Sequence, residues 1–203
     1  MVPGAHSADA RAASPWRHVP NVISALRIVL VVPVAVAIVT HHYRLALGLA
    51  ALAGISDALD GWLARHFDWG SRLGSILDPL ADKLLLATSF VVLAVVGRTS
   101  WSLVALVLAR DAVISVGALA WQRVLGHFQA RPSLVSKCCT TAQILYVLVL
   151  LFVAAGWLDW SPRPWAWAVL LFTLASGLDY VLRWGRRARV ELARKRGGTH
   201  DAS

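Results

Sequence analysis

Asp57, Asp60, Asp78 and Asp82 interrupt the otherwise apolar run Ser56–Ala87, SDALDGWLARHFDWGSRLGSILDPLADKLLLA. Asp57 and Asp60 are three apart, and Asp78 and Asp82 are four apart, so on helices each pair shares one face. Gly61, Ala64 and Arg65 fall on or beside the first face, and Gly74 falls on the second. A short connection joins the two stretches, which puts both pairs at one level, about 7–15 Å from that connection at 1.5 Å per residue. Small residues at Gly61, Ala64 and Gly74 let two such backbones approach closely. Four ionised carboxylates in one small volume repel each other, and desolvation adds to the cost. Hard divalent cations held by oxygen ligands relieve both. Two such ions sharing carboxylates can hold a pyrophosphate and polarise its phosphorus. The competing explanations are structural pairing with Arg65, Arg72 and Lys83, and an ion or proton transporter. Transport sites lie near the membrane midplane, whereas these aspartates lie near one end of their helices.

The elements that position them follow from the apolar pattern. The 203 residues are 58% hydrophobic, with a mean hydropathy of +0.62. That exceeds the roughly 45–50% of soluble domains and points to an all-α integral membrane protein. Six transmembrane helices are expected near residues 22–40, 45–66, 74–97, 101–121, 136–157 and 164–184. They form one membrane domain over 20–185. A cytoplasmic or interfacial segment over 1–19, with an interfacial helix around Pro15 and Trp16, precedes it, and a basic tail over 186–203 follows. Connections after the first, third and fifth spans carry Arg44, Arg98 and Arg163. The other side carries Arg11, Arg17, Arg72, Arg123, Arg131 and the arginines of the tail. The positive-inside rule then places both termini in the cytoplasm. Most of the ten tryptophans fall near predicted span ends, as interfacial belts require.

The net charge of +9 suits anionic membrane lipids and an anionic substrate, and no nucleic-acid partner is expected. Cys138 and Cys139 are adjacent, a poor geometry for bridging, and read as small buried residues. His41 and His42 fall in a connection and read as a solvated loop.

The run DALDGWLAR, eight residues, then GSILDPLAD, fits D-x-x-D-G-x-x-A-R-x8-G-x-x-x-D-x-x-x-D without departure. This resembles the signature of the CDP-alcohol phosphatidyltransferase family. PNVISALR upstream, and ARDAVI and RPSLVSKCCTTAQ downstream, extend the resemblance over about Pro20–Gln143. The resemblance implies six spans, a homodimer, and a site open to the cytoplasmic leaflet. It also implies transfer of the phosphatidyl group of CDP-diacylglycerol to an acceptor hydroxyl, with release of CMP. Asp57, Asp60, Asp78 and Asp82 resemble the ligands of two divalent ions, Mg2+ or Mn2+, and Asp82 resembles the general base. Asn21, Ser24, Gly61, Arg65, Ser71 and Gly74 resemble the donor-binding residues. Arg110, Arg123, Arg131 and Lys137 are cations available to an acceptor. In glycerophosphate-using relatives the fifth span often opens Gly-Lys-x-Lys-Thr, whereas SKCCT stands here, with Cys139 at the second lysine position. The downstream runs look closer to the eukaryotic-type cardiolipin synthases. Phosphatidylglycerol is therefore the expected acceptor and glycerol 3-phosphate the alternative, as in the phosphatidylglycerophosphate synthases. A bacterial cytoplasmic membrane is the expected location.

Overall fold

The computed structural model describes residues 19–67, 74–125 and 134–197, with side chains at 25–57, 59, 66, 80–117 and 134–182. Within these residues the chain forms six α-helices and no strand. They are α1 (Val19–Val39), α2 (Tyr43–Phe67), α3 (Gly74–Val95), α4 (Trp101–Leu125), α5 (Leu134–Ala154) and α6 (Arg163–Gly197). Each expected span coincides with one helix. The largest difference is at the end of the chain, where α6 runs on through most of the basic tail to Gly197. The interfacial helix expected around Pro15 and Trp16 lies outside the described residues.

Three helix ends stop for one reason. After α3, the Arg98 N–H donates to the Leu93 carbonyl (2.8 Å) and the Gly97 N–H to the Ala94 carbonyl (3.0 Å). That is a Schellman motif, and it requires a left-handed residue where Gly97 sits at φ +72°. The same pair of bonds closes α5 around Gly156 at φ +73° and α1 around His41 at φ 61°. Only the last uses a residue with a Cβ. The expectation of an unremarkable loop at His41 and His42 is sharpened here. His41 Nδ1 lies 2.7 Å from the Tyr43 hydroxyl, and His42 Nδ1 lies 2.9 Å from Thr40 Oγ1.

The chain divides into two compact units, 1–98 with 151–158, and 99–150 with 159–203. In the first, α1 packs along both α2 and α3. Its buried face is Leu30, Val34, Ala37 and Ile38, against Tyr43, Ala46, Leu47 and Ala53 of α2 and Ala81, Phe90, Leu93 and Ala94 of α3. Fully buried alanines at 46, 53 and 81 let these backbones come close. At the capped end of this unit the Arg98 guanidinium lies 5.2 Å from the Tyr43 ring centroid, and that of Arg44 lies 6.0 Å from the Trp157 ring centroid. Both are within cation–π range.

In the second unit α4 packs on α6. Gly117 makes room for Tyr180: a Cβ there would collide with the Tyr180 hydroxyl, which donates to the Ile114 carbonyl (3.3 Å). Polar side chains are paired in the interior: Cys139 Sγ lies 3.6 Å from Thr173 Oγ1, and the Gln143 amide donates to the same sulfur. Cys139 is buried as the sequence suggests, whereas Cys138 is exposed, and neither forms a disulfide.

Every one of the six helices also exposes large apolar side chains. On α1 they are Leu26, Val29, Val32, Val36 and Val39, and on α6 Trp167, Leu171, Leu174, Leu178 and Val181. By length and composition, two described segments are apolar enough to cross a membrane, Leu134–Ala154 and Arg163–Leu182. The others are shorter in their apolar part or carry charged side chains within it, and those charged side chains form the sites below.

Candidate active site

Three charged residues extend the core stripes of the first unit. On α1, Arg27 precedes buried Val34 by seven residues and Ile38 by a further four. On α2, Asp57 follows buried Ala46 and Ala53 at eleven and four residues. On α3, Asp82 precedes buried Ser89 and Leu93 by the same seven and eleven. Helical periodicity therefore brings all three to the common seam of α1, α2 and α3. There, Arg27 Nη1 donates to Asp82 Oδ1 at 2.6 Å and forms an ion pair with Asp57 Oδ1 at 2.7 Å. One guanidinium nitrogen thus bridges two helices. The two carboxylate oxygens are separated by no more than those two distances together.

Burial is uneven across this trio. The Arg27 side chain is 1% exposed, while those of Asp57 and Asp82 are 47% and 52% exposed. The cation sits on the inside and the carboxylates open outwards. Of the two predicted carboxylate pairs, the structure therefore brings one member of each together, Asp57 and Asp82. Asp60 and Asp78 lie on α2 and α3, but their side chains are outside the described residues. The same holds for Asn21, Ser24, Gly61, Arg65, Gly74 and Arg123, and Ser71 and Arg131 fall outside the described residues altogether.

Sequence reasoning placed Arg27 only in the PNVISALR motif and gave it no role. The signal was available: a lone arginine inside an apolar helix must find a counter-charge, and this one continues the buried stripe of α1. The structural pairing weighed for the aspartates invoked Arg65, Arg72 and Lys83; the structure adds Arg27, from another helix, as a partner of both Asp57 and Asp82.

The second unit holds another buried arginine. Arg110 on α4, whose side chain is 8% exposed, pairs with Asp111 at 2.7 Å and donates to Ser136 of α5 at 2.8 Å and to Ser176 of α6 by a short contact. Its Nε is buried without a hydrogen-bond partner. Lys137, the other described residue among the cations expected to be available to an acceptor, is exposed on α5.

The convergence of Asp57 and Asp82 on one cation tests whether the residues suit a divalent ion. Two carboxylates from neighbouring helices, close together and open on one side, are an oxygen donor set of the kind hard cations take. Asp60 and Asp78 are within one turn of them by spacing.

The sequence profile described as CDP-alcohol phosphatidyltransferase matches residues 17–178. The chain belongs to the CDP-alcohol phosphatidyltransferase family. The match covers the first five helices and the first part of α6, and contains the whole D-x-x-D-G-x-x-A-R-x8-G-x-x-x-D-x-x-x-D motif. Members of the family are generally dependent on divalent metal ions. Among individual relatives, the chain is 30% identical over 193 residues to human cardiolipin synthase (CMP-forming), covering 86% of this chain and 63% of that protein. It is 31% identical over 172 residues to a putative cardiolipin synthase of Mycobacterium tuberculosis, covering 77% and 81%. It is 30% identical over 200 residues to a CDP-diacylglycerol–glycerol-3-phosphate 3-phosphatidyltransferase of Pseudomonas fluorescens, covering 89% and 100%. The chain thus spans just under two thirds of the human and rat cardiolipin synthases it matches.

Proposed function

We propose that this family member transfers the phosphatidyl group of CDP-diacylglycerol to phosphatidylglycerol, releasing CMP and forming cardiolipin. The observation that carries the chemistry is the meeting of Asp57 and Asp82, one from each half of the aspartate motif, on a single cation. In the reaction the acceptor oxygen forms a bond to the phosphorus that carries diacylglycerol. The bond from that phosphorus to the oxygen shared with CMP breaks, and CMP leaves with that oxygen. Asp82, half exposed at the seam, accepts the acceptor's proton. Asp57, Asp60, Asp78 and Asp82 would hold two divalent ions, Mg2+ or Mn2+, which supply charge neutralisation for the pyrophosphate. Arg65 would grip a phosphate oxygen, Gly61 and Gly74 would admit the donor to the backbone, and Asn21, Ser24 and Ser71 would hydrogen-bond it.

The exposed apolar side chains on all six helices support a lipid-embedded, six-span reading, since a soluble fold would cover such surface. The arginine asymmetry of the connections supports a reading with both termini in the cytoplasm and the aspartates at the cytoplasmic leaflet of a bacterial membrane. A homodimer and contact with anionic lipids belong to the same reading.

The choice of acceptor draws on the second unit. A phosphomonoester acceptor needs free cationic charge. Arg110 is held by Asp111 and two serines, so among the described acceptor-facing cations Lys137 alone is exposed. That favours phosphatidylglycerol over glycerol 3-phosphate. The second acceptor keeps support from the full-length match to the Pseudomonas fluorescens enzyme. The test is to supply purified protein with labelled CDP-diacylglycerol and each acceptor in turn, and to read the product by mass spectrometry. Cardiolipin is expected, phosphatidylglycerophosphate would reassign the acceptor, and neither product with either acceptor would remove the transferase reading.

A further inference from the structure

Arg27 is almost wholly buried, yet it is bonded to two carboxylates that are each about half exposed. Its position explains how like charges stay together. Ionised Asp57 and Asp82 repel each other, and they sit on different helices joined through a connection. A guanidinium nitrogen carries two hydrogens and can serve an oxygen of each carboxylate at once. It is anchored by the packed face of α1, and losing its carboxylate partners while it stays buried would weaken the compensation of a charge in the interior.

We propose that Arg27 is the positioning residue of the aspartate site. From the buried side it fixes the separation and orientation of Asp57 and Asp82, so that their exposed sides present a preformed donor set to a divalent cation. It does not meet substrate. It acts as the outer partner that aims the ligands, a role whose loss typically weakens metal affinity by about 10–100-fold. The cation part of this inference rests on the proposed function; the coupling of Arg27 to the two aspartates does not.

Two measurements on the full chain in detergent test it. The first is Mn2+ binding to metal-stripped protein, followed by electron paramagnetic resonance, for wild type, Arg27→Gln and Arg27→Lys. We expect Arg27→Gln to raise the Mn2+ Kd by about 10-fold or more, and Arg27→Lys, which restores the charge but not the fork, to recover part of the loss. Unchanged or tighter Mn2+ binding by Arg27→Gln would show that Arg27 merely opposes the ion, and would overturn the proposal. The second is thermal unfolding in EDTA, which needs no metal and remains informative should Arg27→Gln alone fail to fold. Asp57→Asn/Asp82→Asn removes two carboxylates that face a buried guanidinium, so the double variant should melt below wild type. Adding Arg27→Gln should then raise its Tm. A triple variant no more stable than the double would dissolve the coupling. Wild-type protein that binds no Mn2+ while the triple variant regains stability would instead leave the coupling in place and remove the metal reading of the site.

Discussion

Arg27 and Arg110 are both buried arginines that tie helices together, and they do so with opposite consequences. Arg27 faces two carboxylates, so the three side chains together carry a formal negative charge, and the two acids open outwards. Arg110 faces one carboxylate, that of its own neighbour Asp111, 24% exposed, and otherwise the neutral hydroxyls of Ser136 and Ser176. Its charge is matched and its partners leave little to meet a ligand. Two carboxylates at an open seam can accept a further cation, whereas the charge of Arg110 is already matched by its neighbour. On the proposed reading, the first arrangement serves a site and the second braces helices as a strut.

This contrast can be broken at several scales. The largest effects belong to the open site. Turnover should vanish in excess EDTA, and full activity there would return the aspartates to a structural role. Asp82→Asn should lower turnover by at least about 10²-fold, the lower end of a general base's contribution. It should leave CDP-diacylglycerol binding within about tenfold, or about 1.4 kcal/mol. Asp60→Asn should weaken donor binding and turnover together. If both variants bind donor normally and keep more than about a tenth of wild-type turnover, well short of that loss, the aspartate motif is not the catalytic site.

The strut should respond differently. Ser176→Ala removes a hydrogen bond to a charged group, worth about 1.5–3 kcal/mol. It should lower the melting temperature in detergent without changing Mn2+ affinity. A loss of Mn2+ binding comparable to that of Arg27→Gln would erase the distinction between the two arginines. Gly117→Ala, a few residues along the same helix, drives a methyl into Tyr180 and should cost about 1–3 kcal/mol. Tyr180→Phe, by removing the colliding hydroxyl, should recover part of that loss.

The smallest effects lie at the capped ends. Gly97→Ala places a Cβ on a left-handed residue and should destabilise by about 1–2 kcal/mol. His41→Gly removes that same strain, and should stabilise by up to about 1 kcal/mol, less whatever the His41–Tyr43 hydrogen bond contributes. A destabilised His41→Gly protein would mean that this bond outweighs the strain.

The six helices were legible because long apolar runs punctuated by glycine, proline and charge have one economical reading. Two boundaries moved for local reasons. α3 stops at Val95 because Gly97 takes a left-handed turn, and the fifth helix stops at Ala154 ahead of Gly156 for the same reason. The aspartates were legible because spacings of three and four put like groups on one face of a helix. The role of Arg110 was less so. In the sequence it reads as a cation available to an acceptor, and only the structure shows its contacts with Ser136 of α5 and Ser176 of α6.

By itself the sequence determined which residues share a face, roughly where each helix lies, and which family motif the chain carries. All of these are set by periodicity and by residues at most a few turns apart. Only the tertiary structure decided which faces meet. Arg27 and Asp82 are 55 residues apart, and Arg110 and Ser176 are 66 apart. Each pair forms because a stripe of small and apolar side chains on one helix packs into that of another and carries its charged member along. No local rule names that partner, since every helix here offers more than one apolar face, and the pairing is settled by the packing of the helices together.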